Sequence, residues 1–98
     1  RKINITNGIT LNNFGNKEAL PYLRVYGTGN ITVNINGRAF TISKLTGSIG
    51  IISEIQEVEE GKGNLMDGDF PYLDIGKNTI TYSGNVTKLE IIPNWRCL

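Results

Sequence analysis

The stretch from Gly68 to Arg96, GDFPYLDIGKNTITYSGNVTKLEIIPNWR, decides the fold. A turn-rich approach through Gly68, Pro71 and Gly76 leads into TITYSGNVTKLEII. That segment reads as a hairpin folded at Gly84-Asn85. Glycine adopts positive φ without steric penalty, and the two-residue turns that match strand twist require it. Pairing across such a turn sets Tyr82 opposite Thr87, Ile80 opposite Leu89 and Asn78 opposite Ile91. One face then carries the apolar side chains, and Thr79, Thr81, Lys88 and Glu90 share the other.

The same logic extends outward. ITVNINGRAFTI turns at Asn36-Gly37, the strongest short hairpin signal. Its register places Ile31 opposite Ile42, Val33 opposite Phe40, Ile35 opposite Arg38 and Thr32 opposite Thr41. One apolar and one polar face indicate a sheet buried on one side. Thr, Ile, Val and Tyr dominate the remaining runs, and glycines divide them at sandwich-like spacing. Strands are expected over 3–6, 9–12, 21–26, 30–35, 38–43, 48–52, 54–59, 79–82 and 87–92, with YGTGN (26–30) as a turn between two of them. SEIQEVEE (53–60) is read as strand over helix, and 60–69 as a loop pinned by Leu65 and Met66. The expected fold is all-β, an antiparallel β-sandwich. Its core is Val25, Ile31, Val33, Phe40, Ile42, Ile49, Ile51, Phe70, Ile80, Tyr82, Leu89 and Ile91.

Composition narrows the function. Ninety-eight residues suffice for one domain, 1–98, with one modest core. A net charge of +1 from interspersed charges gives no basic stripe for nucleic acid and no field toward a membrane. No apolar run approaches the length of a transmembrane helix. Cys97 is the sole cysteine, so no disulfide forms within the chain, in keeping with a reducing compartment. The chain has no histidine, which removes Ser-His-Asp and Cys-His catalysis and the common zinc sites. No cofactor motif is present, and the chain is read as non-enzymatic. It opens on Arg1 and runs at once into KINITNGITL, as a fragment of a longer polypeptide would.

Three chemistries remain to be weighed. A glycosidase needs two carboxylates facing one sugar ring. Glu54, Glu57, Glu59 and Glu60 form the only acidic cluster, without an aromatic among them, and read more simply as a charged edge that discourages aggregation. Asp67, Asp69 and Asp74 fall short of a calcium-loop ligand set and suit turn formation better. Carbohydrate binding is the stronger alternative. Tyr22 and Tyr26 flank Arg24 at period two, so all three share a strand face, and Tyr72 is a further candidate for stacking on a sugar.

The 68–96 stretch also resembles the end of the distal tail proteins of long-tailed phages, through GDFP, GKN, SGNVTK and PxWR in one order. PYLRVYGTGNITVNINGRAFTI (21–42) is similar to the start of the same C-terminal domain. The resemblance spans roughly residues 20–96. It breaks near IISEIQEVEE, where the family carries Asp-Ser-Glu and then an aromatic; here Ile52 replaces the Asp and Glu59 the aromatic. It implies a jelly-roll or galectin-like sandwich and a structural role in the virion tail, assembled in the cytoplasm of a bacterial host. It further implies an N-terminal ring-forming domain, a hexameric full-length protein, and tail-tube, baseplate or tail-associated proteins as partners. The galectin sugar signature is not carried, since histidine is absent and the only tryptophan, Trp95, lies in the tail.

Overall fold

The computed structural model describes residues 1–97. The chain forms β1 (Ile3–Asn4), β2 (Ile9–Asn13), β3 (Tyr22–Ile35), β4 (Arg38–Ile52), β5 (Glu57–Val58), β6 (Met66–Asp67) and β7 (Gly76–Ile92). All pairings are antiparallel. Three long strands in the order β7-β3-β4 carry the architecture. The short strands β1 and β2 extend the β7 side, and β5 and β6 extend the β4 side.

The long strands are bent. Straight, the fifteen residues of β4 would span about 50 Å, yet the whole molecule measures 38 Å along its longest axis. Two neighbouring carbonyls bracket the two ends of β4. Arg38 Nη2 donates to Tyr72 O at 3.0 Å, and Ser53 Oγ donates to Pro71 O at 2.6 Å. On the other side, Ile5 N donates to Leu89 O and Gly8 N to Ile80 O, so a three-residue step bridges nine residues of β7. The sheet thus folds back on itself around one core, giving an all-β, sandwich-like domain. Ala19 and Leu73, both fully buried, exchange a pair of backbone hydrogen bonds that help close it.

Glycine makes the fold-back possible. A Cβ on Gly27 would run into the Asn85 carbonyl. One on Gly84 would run into the Asn30 carbonyl, and Gly84 also has φ of +101°. At the same level the β3–β4 pairing slips by one residue between Gly29 and Ile31. The β3–β7 pairing shifts at Tyr26/Gly27 and again, the other way, between Thr28 and Thr32, for a net slip of one residue. A one-residue slip exchanges the faces of a strand. Accordingly β4 buries Phe40 and Ile42 before the bend but Leu45, Ile49 and Ile51 after it, while β7 buries Ile80 before and Leu89 and Ile91 after. The apolar face stays inward in both halves.

Four expectations are corrected here. Residues 38–43 and 48–52 are one strand, β4, paired with β3 through 45–47 as well. Gly84-Asn85 is a kink inside the continuous strand β7, whose two halves both pair with β3: Val33 faces Tyr82 and Val25 faces Leu89. YGTGN is likewise a bend within β3. Of 54–59 only Glu57 and Val58 are strand; a turn precedes them, with Gln56 N bonded to Ser53 O, and a 3-10 turn, Glu59–Gly61, follows. The Asn36-Gly37 hairpin has the expected register throughout, with positive φ at both turn residues. The expected core is buried except Tyr82 and Phe70, which pack half-exposed against it. Ile5, Ala19, Leu23, Ile35, Leu45 and Leu73 complete it. Leu65 and Met66 pack on the core as expected.

Candidate functional site

Alternation along the first half of β3 turns Leu23 and Val25 inward and Tyr22, Arg24 and Tyr26 outward. Arg24 sits between Gly50 of β4 and Glu90 of β7; Tyr26 sits between Ser48 and Lys88. Gly50 leaves the sheet surface bare beside Tyr22. The Glu59 carboxylate, brought in by the turn after β5, lies over this gap, where any Cβ at position 50 would collide with it.

The polar groups converge. Tyr22 Oη donates to Glu59 Oε1 at 2.6 Å and accepts from Arg24 Nε at 3.1 Å. Arg24 Nη1 donates to Ser48 Oγ at 2.8 Å, and Nη2 pairs with Glu59 Oε1 at 2.6 Å. Next to this group, Tyr26 Oη donates to Glu90 Oε1 at 3.0 Å, and Lys88 and Lys2 approach Glu90 Oε2 at 3.1 and 3.7 Å. Lys88 also lies 5.5 Å from the Tyr26 ring centre. Lys2, Tyr22, Arg24, Tyr26, Glu90 and Ile92 line a shallow cleft of about 200 Å³.

Burial and the hydrogen bond to Glu59 push the Tyr22 phenol above its ordinary value, against the opposing pull of Arg24. At Glu90 burial acts upward, but the hydrogen bonds from Lys88 and Tyr26 and the charge of Lys2 outweigh it, and the carboxyl lies below its ordinary value. Every nitrogen of the Arg24 guanidinium is engaged, and both tyrosine hydroxyls donate to carboxylates. The arrangement is a polar clamp that fastens the Glu59 turn to the sheet.

Of the four residues proposed for stacking on a sugar, Tyr22, Arg24 and Tyr26 come together and Tyr72 does not. Tyr72 lies by the Asn36-Gly37 hairpin, under the Arg38 guanidinium at 3.8 Å from its ring centre. There Arg38 pairs with Asp74 at 3.0 Å, and Asn36 Nδ2 donates to Asp74 at 2.6 Å. Sequence reasoning missed Glu59 and Glu90 as partners of the tyrosines. Lys88 and Glu90 show their outward face by alternation, but their meeting with Tyr26 requires the β3–β7 pairing.

The C-terminal tail is fastened as a structural element. Arg96 Nε and Nη2 donate to Glu18 O at 2.9 and 2.6 Å, and Asn94 Nδ2 to Leu20 O at 3.2 Å. Trp95 is 43% exposed beside Phe14, which is 91% exposed, over an apolar cleft shared with Ile3, Leu11 and Pro93. Comparison of the chain with protein-family models, with curated proteins and with solved structures gave no match.

Proposed function

We propose that this chain is a non-catalytic scaffolding domain of a phage or prophage tail tip, the C-terminal domain of a distal tail protein. The jelly-roll or galectin-like label and the hexameric ring of the full-length protein belong to the same proposal. Sequence support comes from the ordered GDFP, GKN, SGNVTK and PxWR segments. The observation that carries the non-catalytic part is the Tyr22–Arg24–Glu59–Ser48 clamp. The most functional-looking cluster on the surface spends its donors internally, which stiffens the sheet and leaves few groups for turnover or for a sugar.

Immunogold labelling with antibodies against this domain, applied to particles induced from the encoding strain, tests the reading. Label at the distal end of the tail is the expected result. Particles that carry no label, from cells that contain the protein, would refute it. The second reading, a carbohydrate-binding module that aids attachment to the cell wall, is favoured by the convergence of Tyr22, Arg24 and Tyr26 on one cleft. It requires the Arg24–Glu59 pair to open for the ligand.

A further inference from the structure

A third concavity, of about 280 Å³, opens between the Asn36-Gly37 hairpin and the 69–72 segment. Ile35 and Phe40 form its floor and are almost wholly buried core residues. Phe70 and Tyr72 are aromatic side walls, and Arg38 and Asp69 are its charged groups. The two charges differ in one respect. Arg38 is held by Asp74 and by the Tyr72 carbonyl and is stacked on the Tyr72 ring, so its charge is already compensated. The Asp69 side chain has no hydrogen-bond or ion-pair partner within the described residues. Arg38, Asp74 and Asp69 together leave one negative charge at an apolar, aromatic-walled hollow.

We infer that this hollow is a docking socket for a basic side chain of a partner protein, a lysine or arginine whose aliphatic stem lies along Phe40 and Phe70 and whose head pairs with Asp69. A cation meets a free carboxylate there and the ring of Phe70, which attracts it, while its methylenes cover core-facing apolar surface. An anion would face the unpaired Asp69 and find Arg38 occupied. Socket and wall are preorganised, because Arg38 and Asp74 tie the 69–74 segment to the hairpin before any partner arrives. The inference rests on the scaffolding reading for the nature of the partner, but its physical content concerns this pocket alone.

Titration of the ¹⁵N-labelled domain with n-butylammonium chloride, followed by amide shifts, separates the two. A five-heavy-atom ligand of ordinary efficiency binds with a dissociation constant of roughly ten millimolar. Saturable shifts are expected at Ala39, Phe40, Asp69, Phe70 and Tyr72, at least tenfold weaker for methylammonium and for sodium butyrate. Asp69→Asn should weaken n-butylammonium binding at least tenfold, with unchanged amide positions elsewhere reporting an intact fold. Phe70→Leu, which keeps the carboxylate and removes the aromatic wall that Arg38 does not cover, should weaken it severalfold. Shifts of equal size in Asp69→Asn, shifts spread over Glu54, Glu57 and Glu60, or equal affinity for methylammonium would overturn the socket. Failure in this titration leaves the tail-tip assignment untouched, because that assignment is read from virions.

Discussion

Arg24 is the residue on which the outer face depends. It bridges Tyr22, Ser48 and Glu59 across two strands and a turn. Because Arg24 and Glu59 keep partial solvent contact, screening limits the pair, and a double-mutant cycle of Arg24→Ala and Glu59→Gln should give a coupling of about 1 kcal/mol in urea unfolding. Asp74 is a second charged tie. The Asn36 hydrogen bond lowers its carboxyl below the ordinary 3.8; burial opposes this, and Arg38 adds to the lowering. A depressed native value means the unfolded chain binds the proton more readily. The stabilisation is therefore complete above about pH 4 and is lost as pH falls through the native value. Asp74→Asn should cost about 1 kcal/mol at neutral pH and flatten the acid limb of stability measured between pH 6 and pH 2.5.

At the scale of elements, the bend in the three long strands is the defining feature. Gly84→Ala would place a Cβ against the Asn30 carbonyl at a φ that L residues rarely adopt. A loss of roughly 2–4 kcal/mol is expected in chemical unfolding. Gly37→Ala, also at positive φ but in open space, should cost less, about 1 kcal/mol. Continuity of β7 has its own check. Cross-strand NOEs should join Tyr82 to Val33 and Val86 to Gly27, whereas a hairpin at Gly84-Asn85 would join Tyr82 to Thr87. Part of this element was legible in advance. The change of phase in the apolar pattern around Gly84 is real, but a hairpin and a strand bulge write the same local pattern, and both use a glycine with positive φ.

For the whole molecule, the tail closes one side of the domain. Deleting the residues after Ile92 removes the Asn94 bond to Leu20 and both Arg96 bonds to Glu18, and a clear drop in melting temperature is expected. Trp95 contributes less than its size suggests. It is 43% exposed, and its indole N–H has no protein partner among the described residues. Trp95→Ala should therefore shift the melting temperature far less than Arg96→Ala. Light scattering of the isolated domain is expected to report a monomer in dilute solution; a stable hexamer would mean that this domain self-associates through its own surface. Titration with simple galactosides or cell-wall oligosaccharides should give no saturable NMR shifts at millimolar concentrations, because the Arg24 clamp is already filled.

The sequence by itself determined much of the composition of the sheet: most of the strand runs, though not 54–59, the Asn36-Gly37 turn and its register, and most of the buried face. These are local matters, set by alternation of apolar side chains and by the conformational demands of a two-residue turn. It also placed Tyr22, Arg24 and Tyr26 on one face, because period two carries that information within a single strand. Only the tertiary structure decided that Asn30–Ile35 continues Pro21–Tyr26 and that 79–82 continues into 87–92, because a long neighbour pairing with both halves is a non-local fact. From that pairing follow the parts of the site that no local pattern contains: Glu90 beneath Tyr26, Glu59 carried over Gly50, and Tyr72 set apart beside Arg38. The bonds Tyr22–Glu59, Tyr26–Glu90 and Arg38–Tyr72 each join residues more than thirty positions apart in the chain, and the folded-back sheet is what brings them within hydrogen-bonding reach.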